Sequence, residues 1–242
     1  MELHPRLDLT DLPLKQQKII LGSFPVWSHT ISEPSNITEE IDKKKNRLER
    51  GDIDFFFGST KNNFWKWYRS FVDLGIQIGD IDSIKGSLVT NKIGITDLII
   101  QCKRKDKSAL DKHLTDRVYN YMFFDYPQKD ETIKILCTSK GLMNEMLLTP
   151  KFFKIHPTFK IDTTLSESLQ KDLLSNLNNC DHSLIKRPFF RKLFCDSGGS
   201  LECFAIPSPG SPYRKLTDFG FKGEDNNRFL NEFLSIAFNW FS

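Results

Sequence analysis

Asn62, in the run Asn62-Asn63-Phe64-Trp65, and Asp97, in Gly94-Ile95-Thr96-Asp97-Leu98, are the polar residues whose type and setting best suit work on a ligand. An amide donates and accepts hydrogen bonds but is too weak a base to strip a proton from water. Asn62 can therefore position groups; as a favoured helix N-cap, it also has a purely structural role open to it. An ionised Asp only accepts, so Asp97 either reads a ligand edge that offers N–H groups or holds loop amides. Lys140 follows Thr138-Ser139. It reads as a contact to an anion or a loop, because nothing in the sequence signals the lowered pKa of an amine nucleophile. The five cysteines, Cys102, Cys137, Cys180, Cys195 and Cys203, contain no C-x-x-C pair. Neither a disulfide framework nor a zinc or iron–sulfur site is signalled, and no metal or cofactor is expected.

These residues need a frame. Apolar runs at 18–21, 92–95, 134–137 and 202–206 read as buried strands, with 98–100 continuing inward from the second. Helical spacing recurs near 62–72, 108–119, 141–148, 165–176 and 228–241. Strands alternating with helices argue for a parallel sheet covered on both faces. Ligands bind beyond the carboxyl ends of such strands. Ser23-Phe24-Pro25, Thr96-Asp97, Thr138-Ser139-Lys140 and Pro207-Ser208-Pro209 all stand there, so the polar residues converge on one edge. The stretch 32–50 places Glu39, Glu40 and Asp42 before Lys43, Lys44, Lys45, Arg47 and Arg50. It reads as a charged excursion containing a solvated helix.

A chain of 242 residues, 39% hydrophobic and 27% charged, is ordinary for one globular domain over 1–242. No apolar run approaches the roughly 20 residues of a membrane span. The start of the chain, with Glu2, His4 and Arg6, lacks the apolar centre of a secretory signal, so a cytoplasmic protein with no membrane partner is expected. A net charge of +3 is too mild to mark a nucleic-acid binder by itself. Two local clusters, Lys103-Arg104-Lys105 with Lys107 and Lys186-Arg187 with Arg191-Lys192, read as extensions of a phosphate track or as solvated faces.

Taken in order, Ile20-Leu21-Gly22-Ser23-Phe24-Pro25, the run from Phe55 to Trp65, the run from Gly94 to Leu98, and Ile206 to Arg214 form a set. This set resembles the motifs of the uracil-DNA glycosylase superfamily, closest to its hypoxanthine-DNA glycosylase-like branch, over about residues 18–214. The resemblance implies an α/β fold: a three-layer α/β/α sandwich with a central four-stranded parallel sheet. It implies a monomer acting on DNA that contains a modified or damaged base, which is flipped into a pocket at the strand ends. Hydrolysis of the N-glycosidic bond, without a cofactor, would leave an abasic site. The implied enzyme is monofunctional.

By the same resemblance, Gly22, Ser23, Phe24 and Pro25 form the first loop of the base pocket, with Phe24 stacking on the base or serving as a core ring in a tight turn. That loop lacks the Asp or Asn with which many branches position water. Asn62 takes the catalytic place, Asn63 is the fallback, and Phe64 and Trp65 fix the helix. Asp97 stands where many related sequences carry an Asn, which disfavours plain uracil and fits the amino group of cytosine or the ring N–H of hypoxanthine. Pro207, Ser208, Gly210, Ser211 and Arg214 belong to a loop that pinches DNA phosphates, with Lys140 beside it. The branch is also similar to glycosylases that defend bacteria by removing glucosylated hydroxymethylcytosine from phage DNA, the narrowly favoured substrate. Repair of hypoxanthine or uracil is the alternative, and a catalytically silent DNA-binding module is a third reading.

Overall fold

Residues with a strong preference for pleated, buried backbone dominate the four apolar runs, and all four form strands. The computed structural model describes residues 1–5, 16–32, 37–107, 111–148, 150–175, 177–178 and 180–242. Among them the strands are β1 (Glu2–Leu3), β2 (Lys18–Gly22), β3 (Ile31–Ser32), β4 (Ile93–Asp97), β5 (Ile99–Arg104), β6 (Leu114–Tyr119), β7 (Thr132–Cys137), β8 (Lys160–Ile161), β9 (Phe190–Phe194) and β10 (Ser200–Ala205). The helices are α1 (Ile37–Lys45), α2 (Phe64–Phe71), α3 (Ile81–Thr90), α4 (Lys140–Leu148), α5 (Pro150–Ile155), α6 (Thr163–Leu174) and α7 (Asn226–Phe241).

The fold is mixed α/β with two sheets. The larger has the order β4-β2-β7-β10-β9-β8. Its first four strands run parallel to one another, while β9 and β8 extend it antiparallel. The expected sheet of four parallel strands is thus corrected to a mostly parallel sheet of six. The extension comes from residues read in the sequence as a basic cluster. Phe190–Phe194 buries Phe190 and Leu193 and folds back on β10 through a tight turn in which Gly198 has a φ of 86°.

Ile20, Leu136 and Phe204 stand side by side in register and face α7. The Phe204 ring lies 5.7 Å from that of Phe233 and 5.3 Å from that of Trp240. Burying a ring such as Phe233 contributes about 1.5–3 kcal/mol. Helix α4 packs on β7 and β10, α6 on β9, and α2 on α7, where Phe71 and Phe238 stack at 5.7 Å. Asp162 and Asp225 cap α6 and α7 by accepting from the amides of Leu165 and Arg228.

The second sheet, β3-β1-β5-β6, is antiparallel and departs from the sequence reading. Residues 98–100, expected to continue inward from β4, instead leave the large sheet, and Ile99–Arg104 form β5. The helix expected over 108–119 is instead a short 3₁₀ turn, Asp111–His113, followed by β6. Leu110, Leu114 and Val118 recur every four residues, which mimics a helix. Residues 108–110 lie outside the described residues, Leu114 is buried, and Val118 is 43% exposed. An irregular register with β5 breaks the simple alternation that would have marked a strand.

The excursion at 32–50 is also more than a solvated face. Lys44 on α1 is buried and pairs with Asp54 at 2.8 Å, and Arg47 donates to the Thr30 carbonyl at 2.6 Å. Residues 33–36 of that stretch, like Arg6 and the last position of the predicted 165–176 helix, lie outside the described residues. Among the described residues no helix is long and apolar enough to cross a membrane.

Candidate active site

A cavity of about 730 Å3 opens beyond the carboxyl ends of β2, β4, β7 and β10. Ser23, Phe24, Pro25, Asn62, Asp97, Lys140, Ser208, Gly210, Ser211 and Arg214 all line it, although they are drawn from five separate stretches of chain. Two predicted site residues stand behind the wall. Pro207 is buried, and Gly22 backs directly onto Asp97. A methyl group on Gly22 would lie 1.8 Å from Asp97 Oδ1 and 2.9 Å from Phe57 Cε1, so only glycine fits beside this carboxylate.

Asp97 ends β4 directly opposite Gly22 and is 5% exposed. His4 Nε2 donates to its Oδ2 at 2.8 Å in a buried contact. His4 arrives by β1, which pairs with β5 through Glu2 and Leu3, and the His4 amide donates to the Ile100 carbonyl at 2.9 Å. One carboxylate oxygen of Asp97 is therefore fixed by the protein. This histidine carries no local motif, and only the pairing of β1 with residues some hundred positions away brings it to the cavity.

The first loop is held from behind by the second sheet. Phe24 is buried with Ile99, Cys102 and Leu114, and the Arg104 guanidinium lies 5.5 Å from its ring centre. Arg104 also donates to the Pro25 carbonyl at 2.6 Å and to Glu2 at 2.9 Å. Phe24 is thus a core ring that borders the cavity, and Arg104 is a buried brace, which removes it from any phosphate track. In the same cluster, Lys103 pairs with Asp116 at 2.7 Å and Lys107 sits 4.3 Å from the Trp27 ring centre. Of the other basic cluster, Lys186 and Arg187 line the cavity, whereas Lys192 pairs with Glu202 at 2.8 Å.

Ser23 donates to Asp111 Oδ1 at 3.0 Å. Asp111 lines the cavity, so the turn between β5 and β6 brings a carboxylate beside the first loop, which has none of its own. Arg117 ties that turn down, donating to the Asp111 and Leu114 carbonyls and to Glu145 of α4. Burial pushes the Asp111 carboxyl above the ordinary range, and the nearby Glu145 and Asp97 add to the effect. The Ser23 hydroxyl and Arg117 oppose it.

Asn62 and Asn63 separate cleanly. Asn63 donates through Nδ2 and its backbone amide to the Pro209 carbonyl, each at 3.1 Å, and so fastens the start of α2 to the 207–214 loop. Asn62 lines the cavity, and its Oδ1 accepts from the Phe64 amide at 2.9 Å. The N-cap position of α2 falls to Asn63, whose side chain makes no cap bond, so the capping role read for Asn62 is corrected to a bond accepted from one position earlier; the Asn62 Nδ2 has no partner among the described residues. Phe57, two residues into the Phe55-Phe56-Phe57 run, lines the cavity with a φ of 54°. Left-handed backbone at a bulky residue is strained and collects at functional sites. Phe55 and Phe56 line the cavity with Phe57, so the whole triple-Phe run borders the site.

Lys140 opens α4 at the cavity wall. Its Nζ donates to the Asp218 carbonyl at 2.5 Å and stands 5.0 Å from the Phe219 ring centre. Burial lowers its pKa to about 8; Arg187 acts in the same direction and Asp218 opposes it. The exposed Arg214 and Lys215 follow successive turns from Ser208 to Ser211 and from Ser211 to Arg214. A methyl group on Gly210 would meet open space, so this loop leaves room for a close approach by a ligand backbone. Comparison with protein families, curated proteins and solved structures found no match to this chain.

Proposed function

We propose that this chain is a DNA glycosylase whose sheet and helix layers correspond to the α/β/α sandwich of the uracil-DNA glycosylase superfamily. The observation that carries the reading is the convergence of the Ser23-Phe24-Pro25 loop, Asn62, Asp97 and the 208–214 loop on one cavity at the ends of parallel strands. A base drawn from the duplex enters this cavity, while Arg214, Lys215, Lys186 and Arg187 at its wall meet phosphates.

In the proposed reaction the bond between C1′ and the base breaks and its electron pair leaves with the base. Asn62 donates to the oxygen on which that charge develops. A water attacks C1′ and passes its proton to Asp111, which burial makes a stronger base than an ordinary carboxylate. The departing base takes a proton from solvent, and an abasic site remains. Phe57 stacks on the base, and Asp97, oriented by His4, accepts from its N–H edge.

A volume of about 730 Å3 is within the range of roughly 300–1,000 Å3 that sizeable ligands fill, which favours a bulky base over bare uracil. Glucosylated hydroxymethylcytosine is the substrate we favour: Asp97 accepts from its amino group, and Asp54 and Asp218 add acceptors for sugar hydroxyls. The test is to offer oligonucleotides bearing hypoxanthine, uracil or cytosine, and DNA bearing the glucosylated base, and to count abasic sites. Asn62→Ala should slow release of the preferred base by about 10²–10³-fold. Cleavage confined to hypoxanthine or uracil would replace the defence reading with repair, and binding without release from any of them would leave a silent module.

A further inference from the structure

The cavity contains a primary amine as well as groups suited to hydrolysis. Lys140 is placed on the cavity wall by two constraints, the start of α4 and the Asp218 carbonyl that accepts from its Nζ. Among the described residues it makes no ion pair, and its Nζ stands 5.0 Å from the Phe219 ring centre. Four other cations, Lys186, Arg187, Arg214 and Lys215, line the same cavity and can meet phosphates without it. The geometry points to a second activity: Lys140 is a Schiff-base nucleophile that captures the aldehyde of an abasic site and cleaves the DNA strand on its 3′ side.

Three features make the amine competent. With a pKa of about 8, roughly a tenth of Lys140 is neutral at pH 7, against well under a thousandth for an ordinary lysine. The amine can donate to the Asp218 carbonyl and still keep its lone pair for attack. The positive end of α4 and the neighbouring Arg187 disfavour a further positive charge at this position.

The chemistry balances without an oxidant or reductant. The lone pair of Nζ adds to C1′ of the ring-opened sugar, and one water leaves as the imine forms. A cavity carboxylate takes a proton from C2′, the C3′–O bond breaks, and its electron pair departs with the 3′ phosphate. Water then hydrolyses the imine and returns the free amine.

This inference rests on the proposed function only in taking DNA as the ligand of the cavity, so it is tested on DNA in which base release has already occurred. Purified protein is mixed with an oligonucleotide carrying a preformed abasic site, with and without sodium borohydride. We expect a borohydride-dependent covalent adduct that survives denaturation, maps by peptide mass to Lys140, and is accompanied by strand cleavage when borohydride is omitted. Lys140→Arg, which keeps the charge but has no usable lone pair, should lower adduct yield at least 100-fold, with affinity for the same oligonucleotide measured alongside. No adduct from the wild type, or an adduct mapped to another lysine, overturns the inference, and both results are independent of how any variant folds. Trapping at Lys140 by a protein that releases none of the bases offered would sustain this inference while ending the glycosylase reading.

Discussion

Replacing Gly22 with alanine tests the construction of the site at its tightest point. The new methyl would lie 1.8 Å from Asp97 Oδ1 and 3.0 Å from Asp97 Cγ, so the carboxylate must move. Overpacking of this kind costs about 1–3 kcal/mol. Moving Asp97 also breaks its buried bond to His4, a charge-assisted interaction worth about 1.5–3 kcal/mol. Because one displacement produces both losses they overlap, and a total of about 3 kcal/mol is expected. For a chain of this size that corresponds to a fall in Tm of roughly 6–12 °C, readable by calorimetry or by urea unfolding. The decisive arm is the double variant. In an Asp97→Ala background the carboxylate clash is gone and only the approach to Phe57 Cε1 at 2.9 Å remains, which a small shift of that ring relieves; adding Gly22→Ala should then cost about 1 kcal/mol, giving a coupling of about 2 kcal/mol. If Gly22→Ala is as stable as the wild type, or equally damaging in both backgrounds, the close approach of Gly22 to Asp97 is not what demands glycine.

Two further outcomes concern titrating groups. Asp111→Asn should slow base release by about 10²–10⁴-fold yet raise stability near neutral pH. The folded chain holds the Asp111 proton more tightly than the unfolded chain, so the associated stability is complete below the ordinary carboxylate range and is lost as pH rises through the raised pKa. The gain from Asn in unfolding experiments should therefore be present near about pH 8 and vanish near about pH 3; a gain that persists in acid would refute the account. His156 is fully buried, accepts from Tyr126 at 2.8 Å through Nδ1, and donates to the Tyr121 carbonyl at 2.9 Å through Nε2. Burial lowers its pKa, so its contribution is present above the ordinary histidine value and lost as pH falls below it. Tyr126→Phe removes the donor that favours the neutral ring and should cost about 1 kcal/mol at pH 7.5. In denaturant titrations the difference from wild type should shrink by about pH 5.

The legible parts of the sequence were those in which local pattern and final environment agree. β2, β7 and β10 are central strands buried over most of both faces, so they read as short, mostly apolar runs, and α7 carries its phenylalanines at helical spacing. With that of β4, their carboxyl ends could be aligned, which gathers Ser23, Asp97, Lys140 and Ser208; Asn62 and Arg214 joined them only through the motif resemblance. What could not be read depends on long-range pairing. β1 has two residues and no periodicity, so nothing local announces that His4 will meet Asp97. β6 carries Leu114 and Val118 four residues apart and borrows a helix's spacing, which concealed the turn that delivers Asp111. Arg104 looked like a surface cation because its burial depends on Glu2 and the Pro25 carbonyl, both distant in sequence. The lowered pKa of Lys140 likewise depends on burial in the cavity wall and on Arg187, which no spacing rule connects to it.

The two residues that were hardest to foresee share an origin: His4 and Asp111 both come from the small antiparallel sheet, whereas Asn62 and the loops beyond β2, β7 and β10 belong to the large one. The cavity is therefore walled by two sheets that meet across Asp97 and Ser23. Because Arg104 of the small sheet also holds the Pro25 carbonyl, a change in that sheet reaches the first loop as well as His4 and Asp111. An engineer who redraws the small sheet alters one whole wall of the pocket at once, and must keep Arg104 to leave the loop beyond β2 where it is.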